Sequence, residues 1–238
     1  MKRFFWMVRI VAAGVFFIAM FAPVFDSPGT LFAQEPSAAR AFNLVPLAGS
    51  DELDKAISDP RIGVLEKRLA IQRLAQLAGE LKGPRAKDVA PSRLFNPLLG
   101  VLTPQDSVRD HYILREEACT ALAAFSTLEG SEQLVGPLGK RLQDSGEREE
   151  VRMSAARSLA KFRNNASAAA SQLVAALNQE IERGPKADNI NLATGIVVAL
   201  GHLGDKQSFV PLMRVVQSNF PNTTKRRAQA SLEAIRWK

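Results

Sequence analysis

Apolar residues recur along this chain at helical spacing, and one short signature returns five times. It is a first residue, Leu four positions on, and a large apolar residue three further. The sets are Ala70/Leu74/Leu77, Ala118/Leu122/Phe125, Ala155/Leu159/Phe162, Ile196/Leu200/Leu203 and Ala228/Leu232/Ile235. A spacing of i, i+4, i+7 places three side chains on one stripe of a helix. The first residue is small in four of the five sets, so a neighbouring helix can approach closely while the two larger residues fill the seam. Such a unit recurring from Ala70 to Ile235 predicts stacked helical repeats.

Polar breaks cut the apolar stripes into helix pairs, at about 51–59 with 62–79, 92–102 with 107–126, 131–144 with 147–163, 167–183 with 188–203, and 205–218 with 222–237. Asp59-Pro60, Gly83-Pro84, Thr103-Pro104, Gly130-Ser131, Gly184-Pro185 and Pro221-Asn222 fall between them. Ser131 and Ser167 precede apolar runs and read as N-caps. The branched stretch from Ile190 to Leu200 contains Ala193, Gly195 and Ala199, which fit a tight helix contact better than a strand.

Successive central leucines lie 48, 37, 41 and 32 residues apart. Two-helix repeats of the HEAT and armadillo kind run about 40–47 residues, and tetratricopeptide repeats hold close to about 34 with aromatic markers. Irregular spacing and a single tyrosine set the latter aside. The run Leu138-Gly139-Lys140-Arg141-Leu142-Gln143-Asp144, followed by Val151-Arg152-Met153-Ser154-Ala155-Ala156-Arg157-Ser158-Leu159, resembles a HEAT repeat. Its marks are a leucine-rich first helix, a polar turn, and a second helix opening on Val-Arg and continuing into Ala and Leu. Leu114-Arg115 through Leu122 repeats the second half, and Lys67 and Lys225 stand where the arginine is expected. The fourth unit departs, with Ala193 at the basic position and Ile196 for alanine. The resemblance implies an all-α fold over residues 51–238, a right-handed α–α superhelix (HEAT-like solenoid) of about five helical hairpins. HEAT repeats occur in proteins of unrelated functions, so it speaks to architecture more than to activity.

The N-terminus changes the picture of composition. Lys2, Arg3 and Arg9 precede the apolar run Ile10–Ala22, Pro23 ends the run, and Ala33 offers a small residue before Gln34. This layout predicts a secretory signal peptide over 1–33; the run falls short of the about 20 residues of a membrane span. Five of the thirteen Phe lie in the first 21 residues and belong to this leader. Residues 34–50 carry Pro36, Pro46 and Gly49 without periodicity and read as a flexible linker. Loss of Lys2, Arg3, Arg9 and Asp26 lowers the formal charge from +7 to +5. That is milder than the concentrated charge of nucleic-acid binders. Cys119 is the only cysteine, which excludes an internal disulfide or a multi-cysteine metal site. Beside Ala118 it reads as a small buried apolar residue.

Candidate chemistry is sparse. Lys67, Arg115, Arg152 and Lys225 each stand seven before a central leucine, on the packing stripe, and are expected at the seam between repeats, capped by carboxylates or carbonyls. Glu117, Arg157, Lys161, Arg163, Arg226 and Arg227 face away from that stripe on second helices and are the candidate partner-binding residues. His111 and His202 lie far apart with no carboxylate at metal spacing. A helix C-terminus explains His202 without catalysis. No nucleophile elbow or phosphate loop occurs. The sequons at Asn165 and Asn222 coincide with helix starts, where Asn belongs as a cap.

The function these readings predict is an exported, non-catalytic interaction or scaffold module displaying a curved helical-repeat surface. It would be a monomer with no cofactor and no metal. Its partner would be an unidentified protein or peptide, not nucleic acid, and a membrane only if the N-terminal segment is retained. Two alternatives stay open: a HEAT-like enzyme of the lyase or DNA-repair type, and a membrane-tethered structural protein. Export would place the chain away from both pigments and the genome, which weighs against the enzymes.

Overall fold

The computed structural model describes residues 42–81, 89–103 and 110–237, all within one unit, Glu35–Lys238. The expected leader at 1–33 lies outside them. The described residues form ten α-helices and no strand. The helices are α1 (Ser50–Ser58), α2 (Val64–Glu80), α3 (Pro91–Leu102), α4 (Tyr112–Leu122), α5 (Glu132–Gln143), α6 (Glu149–Leu159), α7 (Ala166–Arg183), α8 (Ile190–Leu203), α9 (Phe209–Gln217) and α10 (Asn222–Glu233). Each odd-numbered helix packs on the even-numbered helix after it. Even helices also pack on one another in chain order, and odd helices do the same. Two helical layers result, with the core between them.

The recurring triads build that core. Every member is buried except Leu232, which is half-buried in the last helix. In three units, however, the third member lies beyond the α-helix. Phe125 sits in a 3₁₀ turn (Ala123–Phe125), while Phe162 and Ile235 follow α6 and α10. The helices end earlier than the periodicity predicts, and the bulky residue folds back beneath the helix end, as apolar residues after a C-cap do. Phe125 there meets the edge of Phe95 from α3, with ring centroids 6.0 Å apart.

A second set of small residues brings the even helices together. The position before each central leucine is Ala121, Ser158, Ala199 or Ser231 in α4, α6, α8 and α10, all buried. The two serines bond equivalent carbonyls of the preceding even helix. Ser158 Oγ donates to Cys119 O at 2.6 Å, and Ser231 Oγ donates to Val197 O at 2.9 Å. Those carbonyls already serve their own helices, but a second lone pair accepts the hydroxyl. Between α8 and α10, Thr194 Oγ1 lies 2.9 Å from Thr224 Oγ1. At the same offset, a Cβ on Gly201 would lie 2.5 Å from Ser231 Oγ. The two helices therefore run parallel in register.

The expected serine caps take other roles. Ser131 precedes α5 with no cap bond, and its hydroxyl accepts from Asn165 Nδ2 at 3.1 Å. Ser167 lies inside α7 and accepts from Gln207 Nε2 at 2.7 Å. Both serve the next unit instead of their own helix. Within the expected linker 34–50, the described part is anchored at Val45 and Ser50 while Leu44 is exposed. Val45 is buried, and its carbonyl accepts from Arg73 Nε and Nη2 at 3.0 and 2.9 Å. α8 ends on Gly204, whose φ of 64° suits glycine, and the Ala234 carbonyl lies 2.8 Å from where a Cβ would stand.

Leu159, fully buried at the centre of the third triad, is the position where the spine is most exposed to test. Leu159→Asp buries a carboxylate with no partner, at a cost of several kcal/mol (about 3 or more). The melting transition should fall steeply or vanish; an unchanged melting curve contradicts the spine.

Candidate functional site

Of the four basic positions on the packing stripe, Arg115 and Arg152 are anchored at the seams; Lys67 is buried and Lys225 is half-buried. Arg152 of α6 is buried; its Nε donates to Leu142 O at 2.8 Å and its Nη2 to Glu180 Oε1 at 2.6 Å. The other Glu180 oxygen accepts from Asn189 Nδ2 at 3.1 Å and Arg183 Nη1 at 3.2 Å. Asn189, itself buried, also accepts from Lys186 N at 2.8 Å and donates to Gly184 O at 3.0 Å, which fixes the α7–α8 loop. One unit earlier, Arg115 of α4 grips Glu147 with Nε at 2.6 Å and Nη2 at 2.9 Å, and Nη1 pairs with Asp110. Arg141 of α5 donates to Leu102 O at 2.7 Å and to Glu147 Oε2 at 3.3 Å.

Burial of Glu147 would by itself raise its carboxyl. The hydrogen bond from Arg115, the Arg148 amide and the charges of Arg115 and Arg141 outweigh it and hold the group below the usual range. Cys119 lies behind this seam. Its burial, then the Glu147 charge, push the thiol up to about 12, so it is an inert packing residue. Glu147, Glu180 and Arg141 escape the sequence because each has a partner one unit away; Asn189 joins them through Glu180 of its own hairpin. The seam arginines are the signal that could have found them, since each buried cation requires a carboxylate.

A different surface carries unpaired charge. A groove of about 790 Å³ lies along the outer face of the even helices, lined from α4, α6, α8 and α10. Its floor is α8, through Ile190, Asn191, Thr194, Gly195 and Val198; its walls are α6 and α10. Gly195 has no side chain, and the Met153 thioether leans over it from α6 into the space a Cβ would need. Glu149 and Glu150 stand in the first turn of α6, where the helix dipole favours them. Glu116 joins them from α4, and Arg157 and Arg227 reach in from α6 and α10. No ion pair or side-chain hydrogen bond holds Glu116, Glu149, Arg157 or Arg227 among the described residues, and Glu150 has only Arg148 at 3.8 Å.

Of the six candidate partner-binding residues, Arg157 and Arg227 come together in this groove. Lys161, Arg163 and Arg226 are exposed outside its lining. Glu117 is occupied, accepting from Arg68 Nε at 2.5 Å and Gln72 Nε2 at 3.0 Å across the α2–α4 contact. Glu149 and Glu150 open α6, whereas Glu116 lies in the second turn of α4. His111 caps α4, its Nδ1 accepting from Ile113 N at 3.2 Å, and stacks on Tyr112 with centroids 5.0 Å apart. His202 is exposed in the last turn of α8. Among the described residues no three His, Cys, Asp or Glu stand together as a metal would need.

Residues 151–179 match the family model of the PBS lyase HEAT-like repeat. The match supports a HEAT-repeat family. It runs from Val151 through α6 and on to Gln179 in α7, so this HEAT-like unit begins on a second helix and ends on the first helix of the next pair. No curated protein matches the chain. No described helix is long and apolar enough to cross a membrane.

Glu147 offers a test of the seam through pH. A carboxyl held below its ordinary pKa adds stability that is full above about pH 5 and lost as pH falls through the folded value. Glu147→Gln should therefore cost about 3 kcal/mol near neutral pH, as breaking a buried pair does. The gap from the parent protein should close in acid, read from denaturant midpoints at both pH values. A gap independent of pH contradicts the ionised seam.

Proposed function

We propose that this chain is an exported, non-catalytic module that holds a protein or peptide partner against the outer face of its even helices. In this reading the ten helices form five hairpins in a right-handed superhelix over 51–238, after removal of a leader at 1–33 and a short linker. The even helices line its concave side. A HEAT-like repeat suggests a helical repeat protein, commonly an interaction module, which supports the reading. The observation that carries it is the groove over α8, an open surface spanning four helices with charges that no neighbour neutralises. The seam arginines Arg115 and Arg152 are each matched to a buried carboxylate, whereas Glu116, Glu149, Arg157 and Arg227 line an open groove without one. The module acts by rigid display: α6, α8 and α10 are locked by buried side chains, so their outer residues keep fixed relative positions and bind with little ordering cost.

The test places a photoreactive side chain at exposed Asn191 on the groove floor, and separately at exposed Lys140 on α5 in the other layer. Irradiation of cells exporting the full chain should give a discrete protein adduct at position 191 and none at 140. Equal adducts at both positions, or none at 191, overturn the groove as the docking face. N-terminal sequencing of the same exported material should begin at Gln34; a start at Met1 or Lys2 favours the anchored alternative.

A further inference from the structure

Along α6 the charges that line the groove are sorted by sign, and that order constrains the occupant. Glu149 and Glu150 stand in the first turn of α6, and Arg157 stands in its last. Seven residues of helix separate Glu150 from Arg157, a rise of about 10 Å. Asn191 and Gly195 keep the floor between the two walls free of long side chains bearing charge. Glu116 adds a further anion to the lining and Arg227 a second cation. With no internal ion pair among these groups apart from the distant Arg148 contact, they are hydrated in the free protein and available to a ligand.

Building on the docking reading above, we propose that the occupant is an extended peptide segment of a partner protein carrying a basic and an acidic side chain three residues apart. The basic group pairs with Glu149 and Glu150, and the acidic group with Arg157 and Arg227. Length selects this spacing. In the polyproline II conformation three residues advance about 9 Å and return to the same face, close to the separation of the charges. In a β-strand the same-face spacings of two and four residues are about 7 and 13 Å, one too short and one too long. A segment of a single charge sign meets attraction at one end and repulsion at the other, so the groove selects against uniformly basic or uniformly acidic stretches. The partly apolar floor of Ile190, Val198 and the Met153 thioether takes the residues between.

The experiment is selection of a random displayed peptide library on the immobilised full chain, repeated on three variants. The parent protein should enrich peptides with a Lys or Arg three positions from an Asp or Glu by about tenfold over the unselected library. The double variant Glu149→Lys/Glu150→Lys should shift the enriched set to acidic peptides. Arg157→Glu/Arg227→Glu should shift it to basic ones. Asn191→Trp, which fills the floor, should abolish enrichment. All of these substitutions lie on the outer helix faces, and an unchanged melting temperature verifies each fold. Peptides of one charge sign that are enriched by the parent and lost with Asn191→Trp overturn the paired-charge inference while leaving the docking face standing. Enrichment unaffected by any variant, or none at all, overturns both.

Discussion

The close approach of the even helices is the constraint on which the rest of the structure depends. It is set by residues with almost no side chain at the contact: Ala121, Ser158, Ala199 and Ser231 before the central leucines, and Gly201 opposite Ser231. Once these helices lie close, the triad leucines behind them have no route to solvent. The core closes as one continuous layer instead of five separate pockets. The serine hydroxyls sharpen the arrangement, because a hydroxyl buried without an acceptor is costly. Ser158 and Ser231 find their carbonyls only in one register. Leu232 shows what happens where no further helix follows among the described residues: the same triad position is only half-buried.

Charge is used in two ways in this chain, and burial separates them. At the seams, Arg152–Glu180 and Arg115–Glu147 are largely shielded from water and hydrogen-bonded. Buried pairs of this kind add little net stability over an apolar replacement, yet removing one member is costly. Their effect is to penalise wrong registers between neighbouring units. On the outer face the opposite holds, and Glu149, Arg157 and Arg227 keep their hydration with no internal partner. Two surfaces thus serve packing and, in our reading, docking, without competing for the same charges.

Most of the fold was legible in the sequence because helical packing is written at short range. The triads, the breaks at Asp59-Pro60 and Pro221-Asn222, and the small first residues all act within one helix or one turn, and the helices lie where those signals put them. Misreadings occurred where a residue's partner is distant. Ser131 and Ser167 have the composition of caps, yet the donors they accept from belong to the next unit. Phe125 and Phe162 keep the helical count but leave the helix, since the chain must turn there and the bulky ring closes the core end. The groove was half legible. Arg157 and Arg227 were chosen for facing away from the stripe, whereas Glu117, chosen on the same ground, spends its charge on Arg68.

The fourth unit explains why the groove lies over α8 and not elsewhere. It is the unit that departs from the repeat pattern, with Ala193 at the position where its neighbours carry a basic residue. A cation there would require a carboxylate from the α9–α10 region; a buried alanine requires nothing, and α8 can settle on apolar contacts alone. Its outer face departs in the same direction, presenting Asn191, Thr194 and Val198 where α6 presents Glu150, Met153 and Arg157. A helix with short outer residues between two helices with long ones makes a channel by subtraction. The channel therefore needs no curvature or inserted loop to form it. It follows that a substitution lengthening the outer face of α8 removes the channel while leaving the seams intact, and that the feature is local to this unit and not a property of the repeat.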